Sequence, residues 1–237
     1  MRGNSPCVMM SVIMGRILSR RRLLALGVSM VPCLLGSKAW SGGGAPPRRI
    51  YVQPLGAGIS DAESAFVREA LRAFFNVEVP LLSRIALPTE AFYPPRNRHR
   101  AEKILDFLAP RLPDDGFRIL GLTGGDISTT KDNFEDWGIL GLATIDGRSC
   151  VISSFRCKRN VTDSAQATIR LGKVAVHEIG HTLGLEHCPN VGCIMEDAKG
   201  KVATSDREYD LCSECRRLLA RAGHAVEIER TIPWPRT

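Results

Sequence analysis

The sequence predicts an α+β fold in which a mixed sheet packs against helices. Strand patterns alternate with helical patterns in the first half of the chain, which favours this arrangement. One long helical pattern dominates the second half, and an irregular segment with several cysteines follows it. The 237 residues, 44% hydrophobic and 24% charged, are typical of one globular domain with appendages. The sequence contains no uninterrupted run of 18 apolar residues, which excludes a polytopic membrane protein.

Hydrophobic periodicity assigns the individual elements. The pattern predicts strands at 49–55, 77–82, 117–122, 138–145 and 150–155. It predicts helices at 61–75, 101–109 and 165–183. The helix at 101–109 is expected to stop before Pro110, because proline cannot continue a helix.

The distribution of charge argues against a nucleic-acid partner. The formal net charge is +7, but residues 1–41 contain six lysines or arginines and no acidic residue. The remaining chain has 26 basic against 25 acidic residues, so it offers no general excess of positive charge for phosphate binding. Aromatic residues make up only 6%, too few for a surface of stacking platforms.

The N-terminal segment is typical of an export signal. A basic block precedes a short apolar stretch at 23–35, and Ser37–Ala39 provides a small-x-small cleavage site. Residues 19–24, Ser-Arg-Arg-Arg-Leu-Leu, resemble a twin-arginine signal. We expect a signal peptide at 1–41, a linker at 42–48 and the functional domain at 49–237, with a periplasmic or extracellular location and no stable membrane insertion after cleavage. The alternative is a basic leader on a cytoplasmic protein.

The long helix carries a metal-binding pattern. His177 and His181 are four residues apart and therefore share one helix face, and Glu178 lies beside them. Gly184 can adopt the left-handed conformation that ends a helix, which lets His187 return as a third ligand. Three imidazoles with an open fourth position are typical of catalytic zinc, and Glu178 is the expected general base for the attacking water.

A second ligand set follows at once. Cys188, Cys193, Cys212 and Cys215 have the spacing of a four-cysteine structural zinc site. Disulfides are the alternative if the protein is exported. Cys150 and Cys157 are expected to be small core residues, with a disulfide after export as their alternative.

These motifs together resemble the archaemetzincin family of the metzincin clan of metallopeptidases. The histidine motif runs directly into the four-cysteine array, with Met195 shortly after the second cysteine, and the resemblance covers residues 172–219. It implies a metzincin-like α+β domain: a twisted, mostly parallel sheet, two helices behind it, the zinc helix beneath the cleft, and a small C-terminal subdomain held by the cysteine zinc site. Met195 would form a hydrophobic base under the histidines, and 150–155 would be the antiparallel edge strand that binds a peptide.

The function that follows is zinc-dependent hydrolysis of peptide bonds, with two zinc ions per chain and a peptide or protein as substrate. Two alternatives remain open from the residues. The chain could be a zinc-binding interaction module without activity, which the cysteines alone would fit. It could also hydrolyse a non-peptide amide. An intact Glu178 favours an enzyme, because a structural zinc site has no use for an unliganded glutamate there.

Overall fold

A computed structural model describes residues 48–199, 201–224 and 231–236. The predicted signal peptide at 1–41 and nearly all of the predicted linker at 42–48 lie outside these residues. The strands are β1 Ile50–Leu55, β2 Phe92–Tyr93, β3 Arg98–Arg100, β4 Arg118–Thr123, β5 Ile127–Lys131, β6 Phe134–Ile139, β7 Gly141–Ala143 and β8 Ser149–Ser153. The helices are α1 Asp61–Phe75, α2 Ala101–Leu108, α3 Ser154–Cys157, α4 Ser164–Thr182, α5 Thr204–Arg207 and α6 Ser213–Arg221.

The main sheet has the strand order β1-β4-β8-β7. Strands β1, β4 and β8 are parallel, and β7 pairs antiparallel with β8. The expectation that 150–155 forms the edge strand is therefore wrong. Every residue of β8 is buried, as is usual for a strand with neighbours on both sides. The antiparallel edge is instead β7, which lies within the predicted strand 138–145.

The predicted strand at 77–82 is only partly formed. The chain there runs parallel to β1 and makes isolated bridges, such as Val52 with Leu81. The Val52 amide donates to the Pro80 carbonyl at 3.0 Å, and the Leu82 amide donates to the Val52 carbonyl at 2.9 Å. Pro80 itself has no amide hydrogen, so a continuous ladder cannot form at this position.

Helices cover both faces of the main sheet. Helices α1 and α4 pack on one face, where Phe74 and Ile179 meet β4 residues such as Leu120 in a large core. Helix α2 packs on the opposite face, where Ile104 and Val151 belong to a second core. The resemblance implied two helices behind the sheet in addition to the zinc helix. This expectation is wrong, because α2 lies on the face opposite α1. Both faces are covered because successive strand residues point to opposite faces and both faces are apolar.

A second sheet, in the order β2-β3-β5-β6, was not predicted. Its strands are two to six residues long and mostly polar on their exposed side. Strand β6 leads through Leu140 directly into the edge strand β7, so the two sheets meet at one side of a cleft. No helix within the described residues is long and apolar enough to cross a membrane.

Candidate active site

Helix α4 brings the three predicted histidine ligands together. It begins at the N-cap Asp163, whose side chain accepts a hydrogen bond from the Gln166 amide, and it ends in a Schellman motif. In that motif Gly184, at φ +90°, donates to the His181 carbonyl at 3.0 Å. The turn returns the chain toward the helix, and the ring nitrogens of His177, His181 and His187 lie within 4.8 Å of one another.

The histidines of α4 are held in the tautomer that a metal needs. The Nδ1 atom of His177 donates to the Ile194 carbonyl at 2.6 Å, and that of His181 donates to the Leu185 carbonyl at 2.7 Å. A carbonyl can only accept, so Nδ1 carries the hydrogen and each Nε2 keeps its lone pair. These two Nε2 atoms are 3.0 Å apart. Burial lowers the pKa of His177 well below 6.5 and the pKa of His181 to about 4, so both rings are neutral at pH 7.

His187 has a different environment. Its side chain is 36% exposed at the cleft, and its Nδ1 atom lies 3.9 Å from Oδ2 of Asp197. The other oxygen of Asp197 accepts from the Lys199 amide at 2.7 Å, which holds the carboxylate in place. The ring of His187 therefore faces a carboxylate on one side and the other two histidines on the other. All three imidazoles fit the ligand set of a zinc ion with an open coordination position.

Glu178 is buried beside this cluster and lines the cleft. Its side chain packs against the edge strand at Gly141, where an added Cβ would lie 2.5 Å from Oε1 of the glutamate. Only glycine leaves room for the carboxyl group here. Burial raises the pKa of Glu178 from 4.5 to about 8.

Met195 lies against α4, as the resemblance implied. It is fully buried, and an added Cβ at Gly180 would lie 2.5 Å from its sulfur. The Met195 carbonyl accepts from the Cys188 amide at 2.7 Å. This segment therefore links the end of the histidine motif to the start of the cysteine cluster.

The four predicted cysteines also come together. Their sulfurs lie within 4.8 Å of one another, and both the Cys188–Cys212 and Cys193–Cys215 pairs are separated by 3.7 Å. A tetrahedral zinc site with Zn–S bonds near 2.3 Å requires S···S distances of about 3.8 Å. The Asn190 amide approaches the Cys188 sulfur at 3.5 Å, and the Cys212 amide approaches the Cys193 sulfur at 3.4 Å. The donor set and spacing therefore fit zinc. Cys150 and Cys157 are buried free thiols of the core, as predicted.

The cleft above α4 has a volume of about 280 Å³. It is bounded by β5, β6, the edge strand β7, helix α4 and the segment 196–208. Sequence reasoning missed three residues at this cleft, namely Gly141, Asp197 and Glu208. The sequence could have indicated Asp197, since it lies two residues after Met195. Gly141 and Glu208 reach the cleft only through tertiary contacts.

A cleft along a sheet edge, three convergent imidazoles and an adjacent glutamate together define the site of a zinc metallopeptidase. Comparison with known proteins assigns the family. The sequence profile of peptidase family M54 matches residues 63–221, which is more than half of the chain. The chain belongs to peptidase family M54 and is a zinc metallopeptidase.

Its relatives are archaemetzincins. The chain is 33% identical to the archaemetzincin of Haloquadratum walsbyi over 68% of this chain and 95% of that protein. It is similar to the crystal structure of archaemetzincin from Archaeoglobus fulgidus, with a TM-score of 0.62, 33% identity, and coverage of 72% and 99% of the two chains. The crystal structure from Methanopyrus kandleri gives a TM-score of 0.64 at 27% identity, covering 74% and 95%. The fold class predicted from sequence is thereby confirmed.

Proposed function

We propose that His177, His181 and His187 hold the catalytic zinc of this peptidase and that Glu178 is its general base. The observation that carries the proposal is the convergence of three imidazole nitrogens within 4.8 Å, with the Glu178 carboxyl group in the same cleft. A zinc ion bound there would activate a water molecule and polarise the scissile carbonyl group. The side chains around it determine where the peptide lies and where the proton goes.

Glu178 accepts the proton of the attacking water and then returns it to the leaving amine. Its contact with Gly141 places the carboxyl group next to the edge strand, where a bound peptide would run. The outer side of β7 has free main-chain groups, because β7 pairs only with β8 among the described strands. An extended peptide can pair with these groups and so bring its backbone over the histidines.

We further propose that the four cysteines hold a second, structural zinc ion. Three of the four are buried, and none of them lines the cleft. A closed tetrahedral thiolate site contributes to folding and leaves no position for a substrate. Because Cys188 follows His187 directly, this site would also fix the position of the third imidazole.

A survey of cleaved peptides tests the catalytic proposal. The purified, zinc-loaded protein is incubated with a complex peptide mixture, and the products are identified by mass spectrometry. We expect cleavage that stops when a chelator removes zinc and returns when zinc is restored. A zinc-loaded, folded protein that cleaves no peptide would contradict the proposal.

We also propose that residues 19–24 direct export by the twin-arginine route, with a periplasmic or extracellular location. The support is the pattern Ser-Arg-Arg-Arg-Leu-Leu before the apolar stretch at 23–35. Exchange of both Arg20 and Arg21 for lysine keeps the charge and removes the arginine pair. The double variant should accumulate in the cytoplasm in cell fractionation, and unchanged localisation would refute the export proposal.

A further inference from the structure

Glu208 lies in the wall of the cleft. It follows helix α5 directly, and its side chain lines the cleft while the residue is only 4% exposed. Within the part of the chain that the structure describes, no hydrogen bond or ion pair of its carboxyl group is present. The side chain lines the cleft, so a ligand bound there can supply the missing partner of the carboxyl group.

The cations around Glu208 are engaged with other groups and do not pair with its carboxyl group. Lys173 is the cation with the largest effect on the pKa of Glu208, but its ammonium group donates to the Ser205 carbonyl at 2.8 Å and lies 3.5 Å from the Asp206 carbonyl. Arg207 pairs with Glu196. Burial, which outweighs the attraction of Lys173, raises the pKa of Glu208 to about 8.

The position of Glu208 relative to the histidines is set by helix α4. Val174 lines the cleft one helical turn before His177, on the same side of the helix. The hydrogen bond from the Lys173 ammonium group to the Ser205 carbonyl holds the segment just before Glu208 against this turn of α4. Glu208 and the three histidines therefore line one cleft.

The cleft that Glu208 lines has both apolar and acidic walls. Val174 and Val202 supply the apolar surface, and Glu208 supplies the carboxyl group. A side chain with a long aliphatic stem and a terminal cation matches both features, because lysine and arginine bury the stem and place the charge at the end. Resting on the proposed function, we infer that Glu208 is a specificity-determining residue that selects a lysine or arginine next to the cleaved bond.

Four cations line the same cleft, namely Lys131, Arg156, Arg159 and Lys199, and none of them forms an ion pair with Glu208 among the described contacts. Arg156 binds both oxygens of Asp126, at 2.7 and 3.0 Å, so its charge is already compensated. Arg159 is exposed, and its guanidinium group lies 5.5 Å from the centre of the Phe155 ring. Binding of an acidic side chain by Arg159, Lys131 or Lys199 is thus the competing specificity, and the experiment includes it.

The test compares peptides that differ at one position. Each position beside the cleaved bond carries lysine, norleucine or glutamate, and every peptide is made with a free and with an acetylated N-terminus. Norleucine keeps the aliphatic stem and lacks the ammonium group. For the wild-type enzyme we expect kcat/KM to be roughly 10- to 100-fold higher with lysine than with norleucine, since hydrogen bonds to charged groups contribute that much. The lysine-to-norleucine ratio should be the same for free and acetylated peptides, because the inferred contact is with the lysine side chain and not with the N-terminal amine.

The variant Glu208→Gln removes the charge and keeps the size of the side chain. In this variant the lysine-to-norleucine ratio should fall to about 1, while cleavage of the norleucine peptide persists. Glu78→Gln serves as the control for loss of one carboxylate, because Glu78 pairs with Arg49 and does not line the cleft. The lysine-to-norleucine ratio of this control should stay at the wild-type value.

An unchanged lysine-to-norleucine ratio in Glu208→Gln would overturn the inference, and so would three results with unaltered Glu208. They are equal rates for lysine and norleucine in the wild-type enzyme, a preference for glutamate, or a preference that disappears when the N-terminus is acetylated. Each of these requires cleavage and so leaves the proposed function intact. Failure of the zinc-loaded enzyme to cleave any of the peptides would instead refute the proposed function, and this subsite with it.

Discussion

The histidine cluster ends at His187 and the cysteine cluster begins at the next residue, Cys188, but the surroundings of the two clusters differ. The histidine cluster faces a cleft and has an additional carboxyl group, Glu178, beside it. The cysteine cluster lies away from the cleft, with main-chain amides directed at its sulfurs. Metal ligands alone therefore do not define an active site. In the proposed assignment, an open side and a nearby base distinguish the catalytic cluster from the structural one.

The largest effect is expected for Glu178→Gln. The variant removes the carboxylate and keeps the proposed zinc ligands, so peptide hydrolysis should fall by about 10²- to 10⁴-fold, the usual contribution of general-base assistance. Zinc content and the thermal unfolding midpoint should not change. Steady-state kinetics and elemental analysis check both parts. Full activity of the variant would show that another group is the base.

Cys212→Ala should act mainly on stability. It removes a thiolate from the closed cluster, whose metal binding is part of the folding free energy, and we expect a loss of about 3 kcal/mol in the free energy of unfolding. Chemical denaturation followed by circular dichroism measures this. Unchanged stability, with one zinc lost, would contradict the structural role of the cysteine cluster.

Asp197→Asn should weaken the histidine cluster alone. The carboxylate faces Nδ1 of His187 at 3.9 Å, and carboxylates behind ligating histidines typically contribute 10- to 100-fold in metal affinity. We expect roughly a 10-fold loss of zinc affinity at this site in chelator competition. Asp115→Asn is the control, since Asp115 pairs with Arg49 and Tyr51 away from the cleft. Equal zinc affinities of the two variants would show that Asp197 does not support zinc binding by His187.

Gly141→Ala should have the smallest effect. The added Cβ would lie 2.5 Å from Oε1 of Glu178, so the carboxyl group must move. We expect kcat to fall up to about tenfold at unchanged zinc content, because a displaced base transfers the proton less well. Gly125→Ala is the matched control, since its nearest contact would be 3.4 Å. A Gly141→Ala enzyme with normal kcat would show that the contact does not position the base.

The sequence predicted the local features of both clusters and missed those that depend on distant contacts. The ligands of each cluster follow helical or short-loop spacing, so one segment of chain indicates them. Gly141 could not be recognised, because its role comes from the packing of β7 against Glu178 on α4. Glu208 reaches the cleft only through the fold of 196–208.

Among the strands, too, the sequence predicted locally determined features and missed those that depend on distant contacts. The apolar parallel strands β1, β4 and β8 were predicted to within about two residues. The segments 138–145 and 150–155 are both apolar, so composition alone could not show which of them is the edge. The second sheet was missed because its strands are short and lack regular alternation.

The most direct test of the contrast between the two clusters is the zinc content of the purified chain together with the state of its thiols. Elemental analysis should give two zinc ions per chain, with Cys188, Cys193, Cys212 and Cys215 all reduced and protected from alkylation until zinc is removed. One zinc ion per chain, with the four cysteines joined in two disulfides, would contradict the account.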